Sequence, residues 1–214
     1  MGSFLNKVEV AARAAYYTGK PLESGGTSIG LATAPGVRYL ADEGLIKEGQ
    51  TICDYGAGKS GRNANFLRKL GFKVYAYDPF NGQGVDGWEG VSNKKPTDKF
   101  DVCLTSYVLN VVPEPIETGI IAKCKRLGKS VFHITRNMDI YDTIKKNLEQ
   151  KDKIVTDFFV KEFDGDSKNY TNEDALALCY FGVQTSKGFQ RIPELEKKGF
   201  KLLVKAHGYK IYTK

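Results

Sequence analysis

Histidine, tryptophan, methionine and cysteine are all scarce: two, one, two and four residues in a chain of 214. The four cysteines, Cys53, Cys103, Cys124 and Cys179, are scattered and make no metal-ligand spacing, so no metal is expected. They read as buried free thiols, which places the chain in a reducing, cytoplasmic compartment. No apolar run is long enough to span a bilayer, so no membrane partner is expected. The start of the chain has no signal-peptide pattern, because Glu9 and Arg13 interrupt its apolar residues. A P-loop is also excluded, since Gly58-Lys59-Ser60 follows a loop too short for the Walker spacing.

What is plentiful is glycine and positive charge. The formal net charge is +7. Residues 184–214 hold eight lysines and arginines against Glu194 and Glu196, and the rest of the chain is nearly neutral. Such asymmetry fits a nucleic-acid partner, and equally a solvated lysine-rich surface. Length and composition fit one soluble domain spanning residues 1–214.

The organising stretch is Thr51 to Phe80. Thr51-Ile52-Cys53 is β-prone, Gly56, Gly58 and Gly61 punctuate the chain, and Arg62 to Leu70 carries Ala64, Leu67 and Leu70 at helical spacing. Gly71 closes the helix, and Val74 to Tyr77 forms a second strand that ends at Asp78. Glycines permit positive φ and a close approach to the backbone. A following helix presents unpaired N–H groups and partial positive charge. A carboxylate at the next strand end can accept from ribose hydroxyls. This is machinery for a nucleoside cofactor.

The rest of the chain continues the alternation. Val8 to Tyr17 reads as a short helix, Lys20 to Ile29 as a polar loop able to act as a lid, and Thr33 to Glu43 as a helix capped by Thr33. Residues 1–50 thus form an N-terminal helical segment. Pro79 to Asp98 is glycine-rich, with a weak edge strand near Trp88 to Val91. Trp88 either lines an adenine pocket or simply packs. Phe100 to Leu104 is a buried strand, Pro115 to Leu127 a helix with Ile116, Ile120, Cys124 and Leu127 inward, and Ser130 to Thr135 the fifth strand. His133 reads as packed between strands. Asp139 to Gln150 is helical, and residues 151–189 form an aromatic, substrate-facing insertion. Ile192 to Lys198 is a final helix, and Phe200 to Ala206 pairs with Tyr209 to Thr213 as a hairpin.

The order Asp54-x-Gly56-x-Gly58-x-x-Gly61 has an acid before its first glycine, which the dinucleotide fingerprint lacks. It resembles the first motif of class I S-adenosylmethionine-dependent methyltransferases. That resemblance implies an α/β, Rossmann-like fold: a mostly parallel seven-stranded sheet with a C-terminal antiparallel hairpin. It also implies S-adenosylmethionine as cofactor, with Asp54, Gly56, Ala57 and Gly58 forming the loop, Asp78 holding the ribose, and Pro79 and Thr105 completing the cofactor site. Pro35-Gly36-Val37-Arg38, Gly44-Leu45-Ile46, Asp54-Tyr55-Gly56-Ala57-Gly58, Asp78-Pro79 and Tyr107-Val108-Leu109-Asn110-Val111-Val112 together resemble a bacterial family of DNA phosphorothioation-associated methyltransferases. Here Lys59-Ser60-Gly61 replaces that family's more acidic stretch.

Polar residues at a strand's carboxyl end are where an open α/β sheet places its chemistry, which nominates Ser106, Tyr107 and Asn110 as catalytic. The prolines of nucleic-acid amino-methyltransferases are missing after this strand, and Cys103 lies inside it rather than beyond it. Three functions follow: a methyltransferase acting on DNA or another nucleic acid, one acting on a small molecule, and a non-catalytic cofactor-binding module. The basic C-terminal segment and the resemblance favour the first slightly.

Overall fold

The computed structural model describes residues 32–142, 176, 179–180, 182–185 and 188–214. The expected helix at Val8 to Tyr17, the loop at Lys20 to Ile29 and most of the 151–189 insertion lie outside the described residues.

Apolar, β-prone runs buried on both faces become the strands of one mixed sheet. β1 (Thr51–Tyr55), β2 (Lys73–Tyr77), β3 (Phe100–Ser106) and β4 (Gly128–Thr135) are parallel. A short pair, β5 (Val183–Thr185) and β6 (Gly188–Gln190), stands apart as a second sheet. The hairpin β7 (Lys201–Lys205) and β8 (Lys210–Thr213) closes the main sheet, with β8 antiparallel to β4. The strand order is β2-β1-β3-β4-β8-β7.

α1 (Pro35–Asp42) and α2 (Arg62–Lys69) cover one face of the sheet. Their Val37, Leu40, Ala64 and Leu67 meet Ile52, Val74, Leu104 and Ile134 in one core cluster. α3 (Glu114–Leu127) covers the other, where Ile121, Cys124 and Leu127 meet Cys53, Cys103 and Tyr212. The connection after β1 therefore departs to one face and the connection after β3 to the other. The two diverge between neighbouring strands, and that divergence opens a crevice at the carboxyl edge of the sheet.

Several local expectations change. The main sheet has six strands among the described residues, not seven. Where an edge strand was expected near Trp88 to Val91, only isolated bridges of Ser92 with Tyr77 and Gln83 form. Gly82, Gly84, Gly87 and Gly90 make this segment too poor in side chains to hold a strand. Trp88 packs against Tyr75 and Phe100, at ring-centroid distances of 5.4 and 5.8 Å. Thr33 does not cap α1, whose N-cap is Ala34 with no side-chain hydrogen bond. The helix expected at Ile192 to Lys198 shrinks to one 3₁₀ turn, Leu195–Lys198, because Pro193 biases Ile192 away from helical angles. Leu70 is exposed rather than inward. α3 is rotated from its expected face: Glu117 and Ile121 are buried, while Ile116 is exposed.

Candidate active site

The turn after β1 is built on left-handed backbone. Gly56, Gly58 and Gly61 have φ of 90°, 69° and 55°. The amides of Gly56 and Ala57 both donate to the Tyr77 carbonyl, at 2.7 and 3.0 Å, which pins the turn to the end of β2. A Cβ on Gly56 would lie 2.3 Å from Cγ2 of Val108. The turn is thus wedged under the segment that follows β3, and that contact demands glycine as strictly as the backbone angle does. Gly61 is the N-cap of α2, and no side chain caps that helix.

Asp78 and Asp54 occupy different places. Asp78 stands at the crevice, nearly buried, and its carboxylate joins two loops. Oδ2 accepts from the Gly58 amide at 2.9 Å, and Oδ1 accepts from the amides of Phe80 and Asn81 at 3.0 and 2.8 Å. Oδ2 carries one internal bond and keeps a lone pair for a ligand hydroxyl. Pro79 is exposed beside it. Asp54 is fully buried beneath the first turn of α2. Neither of its oxygens makes a full hydrogen bond, although the Ala64 amide approaches closely enough to favour its charge. Burial, with Cys103 and Asp78 nearby, pushes its pKa up to about 7, and Arg68 opposes the rise.

At the end of β3, Tyr107 is the one non-glycine residue with positive φ, 59°, among the described residues. Such strain persists only where the surroundings over-determine it. Here the Tyr107 amide donates to the Ile134 carbonyl at 2.8 Å. Burial and Asp139 push the Tyr107 hydroxyl up to about 12, so it remains a proton donor. The Ser106 hydroxyl is enclosed with no hydrogen-bond partner.

Thr105 and Asn110 are spent inside the fold. The Thr105 hydroxyl meets His133 Nδ1 at 2.8 Å, and both residues are fully buried. Burial lowers His133 to about 3, so it stays neutral, as a packed histidine should. Asn110 Nδ2 donates to the Arg191 carbonyl and its Oδ1 accepts from the Arg136 amide, each at 2.8 Å. Asn110 therefore ties three segments together rather than facing an acceptor.

Sequence reasoning missed Arg136. It directly follows β4 and is held by Asp139 at 2.6 Å and Gln190 at 3.1 Å. The strand-end rule that nominated Ser106 applies equally one strand over, and it could have found Arg136. A further surface hollow of about 330 Å³ flanks the glycine turn, lined by Lys59, Ser60, Asn65, Gln83 and Val91 among others.

A glycine turn pinned between two parallel strands, an acid at the next strand end and a polar edge beyond β3 define a nucleoside-cofactor enzyme of the Rossmann-like class. The chain belongs to the methyltransferase domain family, whose model matches residues 31–212. It is a class I S-adenosylmethionine-dependent methyltransferase. Solved structures with a similar fold include the magnesium protoporphyrin IX methyltransferase of Synechocystis PCC 6803 with bound SAH, 15% identical. The match covers 100% of this chain and 87% of that one, with a TM-score of 0.47. The DhpI–SAM–HEP complex is 14% identical over 100% of this chain and 99% of that one, with a TM-score of 0.46. TehB from Haemophilus influenzae is 17% identical over 51% of this chain and 43% of that one, with a TM-score of 0.40. No curated protein matches the chain in sequence. Among the described residues, no helix is long and apolar enough to cross a membrane.

Proposed function

We propose that the enzyme methylates a small molecule seated at the carboxyl ends of β3 and β4, against Tyr107 and Arg136. The observation that carries this reading is the pairing of the basic C-terminal segment. Arg191 is buried against Glu117 at 2.9 Å, Lys198 reaches Glu117 at 2.6 Å and Glu114 at 3.1 Å, and Lys197 holds Glu194 at 2.8 Å. A track for nucleic acid needs cations free to replace the counterions of phosphates, and three of the segment's eight are engaged with carboxylates instead. Those three pairs reduce the electrostatic support that the basic segment lends to the DNA acceptor implied by the phosphorothioation resemblance.

When bound, S-adenosylmethionine supplies a methyl group on a sulfonium. An acceptor at the ends of β3 and β4 would take that methyl with loss of the carbon–sulfur bond and give up its own proton to solvent. The residues of this chain position rather than deprotonate. Asp78 offers a carboxylate lone pair to the ribose, and the Gly56–Gly58 turn keeps side chains out of the cofactor's way. Tyr107, protonated at any physiological pH, orients the acceptor by donating a hydrogen bond. Neutral, buried His133 is no base for this step.

The test is label transfer from methyl-tritiated cofactor to a metabolite extract, DNA and RNA side by side. Label in a low-molecular-weight product supports the reading, and label confined to nucleic acid overturns it.

A further inference from the structure

Arg68 belongs to no motif, yet it has one of the densest sets of polar contacts in the molecule. It sits one residue before the end of α2 and is half-buried. Its Nε and Nη2 donate to the Val74 carbonyl at 3.2 and 3.0 Å. Nη2 also donates to the carbonyls of Gly87 and Gly90, at 2.6 and 3.1 Å. Nη1 reaches Asn65 Oδ1 at 3.0 Å. One planar guanidinium thus fastens helix, strand and the irregular 87–90 segment, which has too few side chains to fasten itself.

That segment leads into Ser92, which is fully buried. The Ser92 carbonyl accepts from the Asp78 amide at 2.9 Å, and the Ser92 amide donates to Ala76 at 2.9 Å. A short relay therefore runs from Arg68 through residues 87–92 to the acid at the crevice. We propose that Arg68 is the positioning residue of the cofactor site: it touches no ligand, but its guanidinium sets the place of Asp78 through the 87–92 segment.

The inference rests on the reading that the cofactor lies over the glycine turn. Its test uses Arg68→Met, which removes both fork and charge, and Arg68→Lys, which keeps the charge. S-adenosylhomocysteine affinity is measured by calorimetry from pH 6 to 9, with thermal unfolding to confirm folding. The expected result is affinity at least about ten-fold weaker in Arg68→Met, as bonds from a charged group are lost. Arg68→Lys, which keeps a donor group for the same carbonyls without the fork, recovers part of that loss. A folded Arg68→Met protein with parental affinity overturns the inference, and so does a folded Arg68→Lys protein that binds no better than Arg68→Met. Absence of binding by the parent protein would instead overturn the cofactor reading itself.

Discussion

Asp54 is the residue whose burial makes the most definite demand. Its carboxyl binds a proton more tightly in the folded protein, near 7, than the ordinary value of 3.8 in an unfolded chain. Between those values the native state holds the extra proton, so stability falls as pH rises and levels off above the folded pKa. The full swing is of order 4 kcal/mol. Urea denaturation from pH 4 to 8 should therefore show Asp54→Asn gaining on the parent by up to that amount as pH rises. A constant difference across the range would refute the assignment. At Asp78 the expected loss is of ligand affinity. Removing its carboxylate in Asp78→Ala deletes charge-assisted bonds and also frees the Gly58 amide, so calorimetric affinity for S-adenosylmethionine should drop by roughly 1.5–3 kcal/mol. Tyr107→Phe should lower turnover while leaving that affinity unchanged, since it removes the donor proposed to orient the acceptor.

Among the elements, the glycine turn and α3 show two kinds of constraint. Gly56→Ala meets both a 2.3 Å clash with Val108 and a φ of 90°. Pairing it with Val108→Ala removes the methyl in the way and leaves the backbone strain. Thermal unfolding of the double variant should recover only part of the loss, with about 1–3 kcal/mol remaining. In α3, Glu117 is fully buried between Arg191 and Lys198. Glu117→Gln leaves buried Arg191 with no counter-charge and Lys198 with Glu114 alone, and should cost about 3–5 kcal/mol in denaturant unfolding. Glu117→Met with Arg191→Met should cost much less. The same pair explains the limits of sequence reading. The periodicity of α3 put Ile116 and Ile120 inward, because a buried glutamate is sensible only once its partners, from a segment far along the chain, are known. The strand-turn-helix-strand unit around Gly56 was legible because its glycines, helix and acid lie within thirty residues of one another. The tie that Asn110 makes was hidden for the reason that hid Glu117: its partner Arg191 is distant in sequence. Arg136 went unnoticed although its position at a strand end was readable.

For the molecule as a whole, the parallel core with its reversed hairpin was legible from alternating apolar runs. The disposition of charge was not, because net charge says nothing of pairing. Ligand linkage gives a global check. S-adenosylhomocysteine at a hundred times its dissociation constant should stabilise the fold by about 2.7 kcal/mol. In Asp78→Ala at the same concentration the stabilisation should shrink to about 0.3–1.3 kcal/mol, with a correspondingly smaller rise in melting temperature.

The strand order has a consequence for biosynthesis. β8 lies inside the sheet, between β4 and β7, and its Ile211 and Tyr212 are wholly enclosed. A ribosome delivers β1 to β4 long before it delivers Lys210 to Thr213. Throughout that interval β4 presents an open edge, with His133 and Ile134 awaiting the partners they meet in the finished sheet. Emerging chains halted before Lys210 should therefore be cut readily by protease and bind holdase chaperones, and release of the last strand should end both at once.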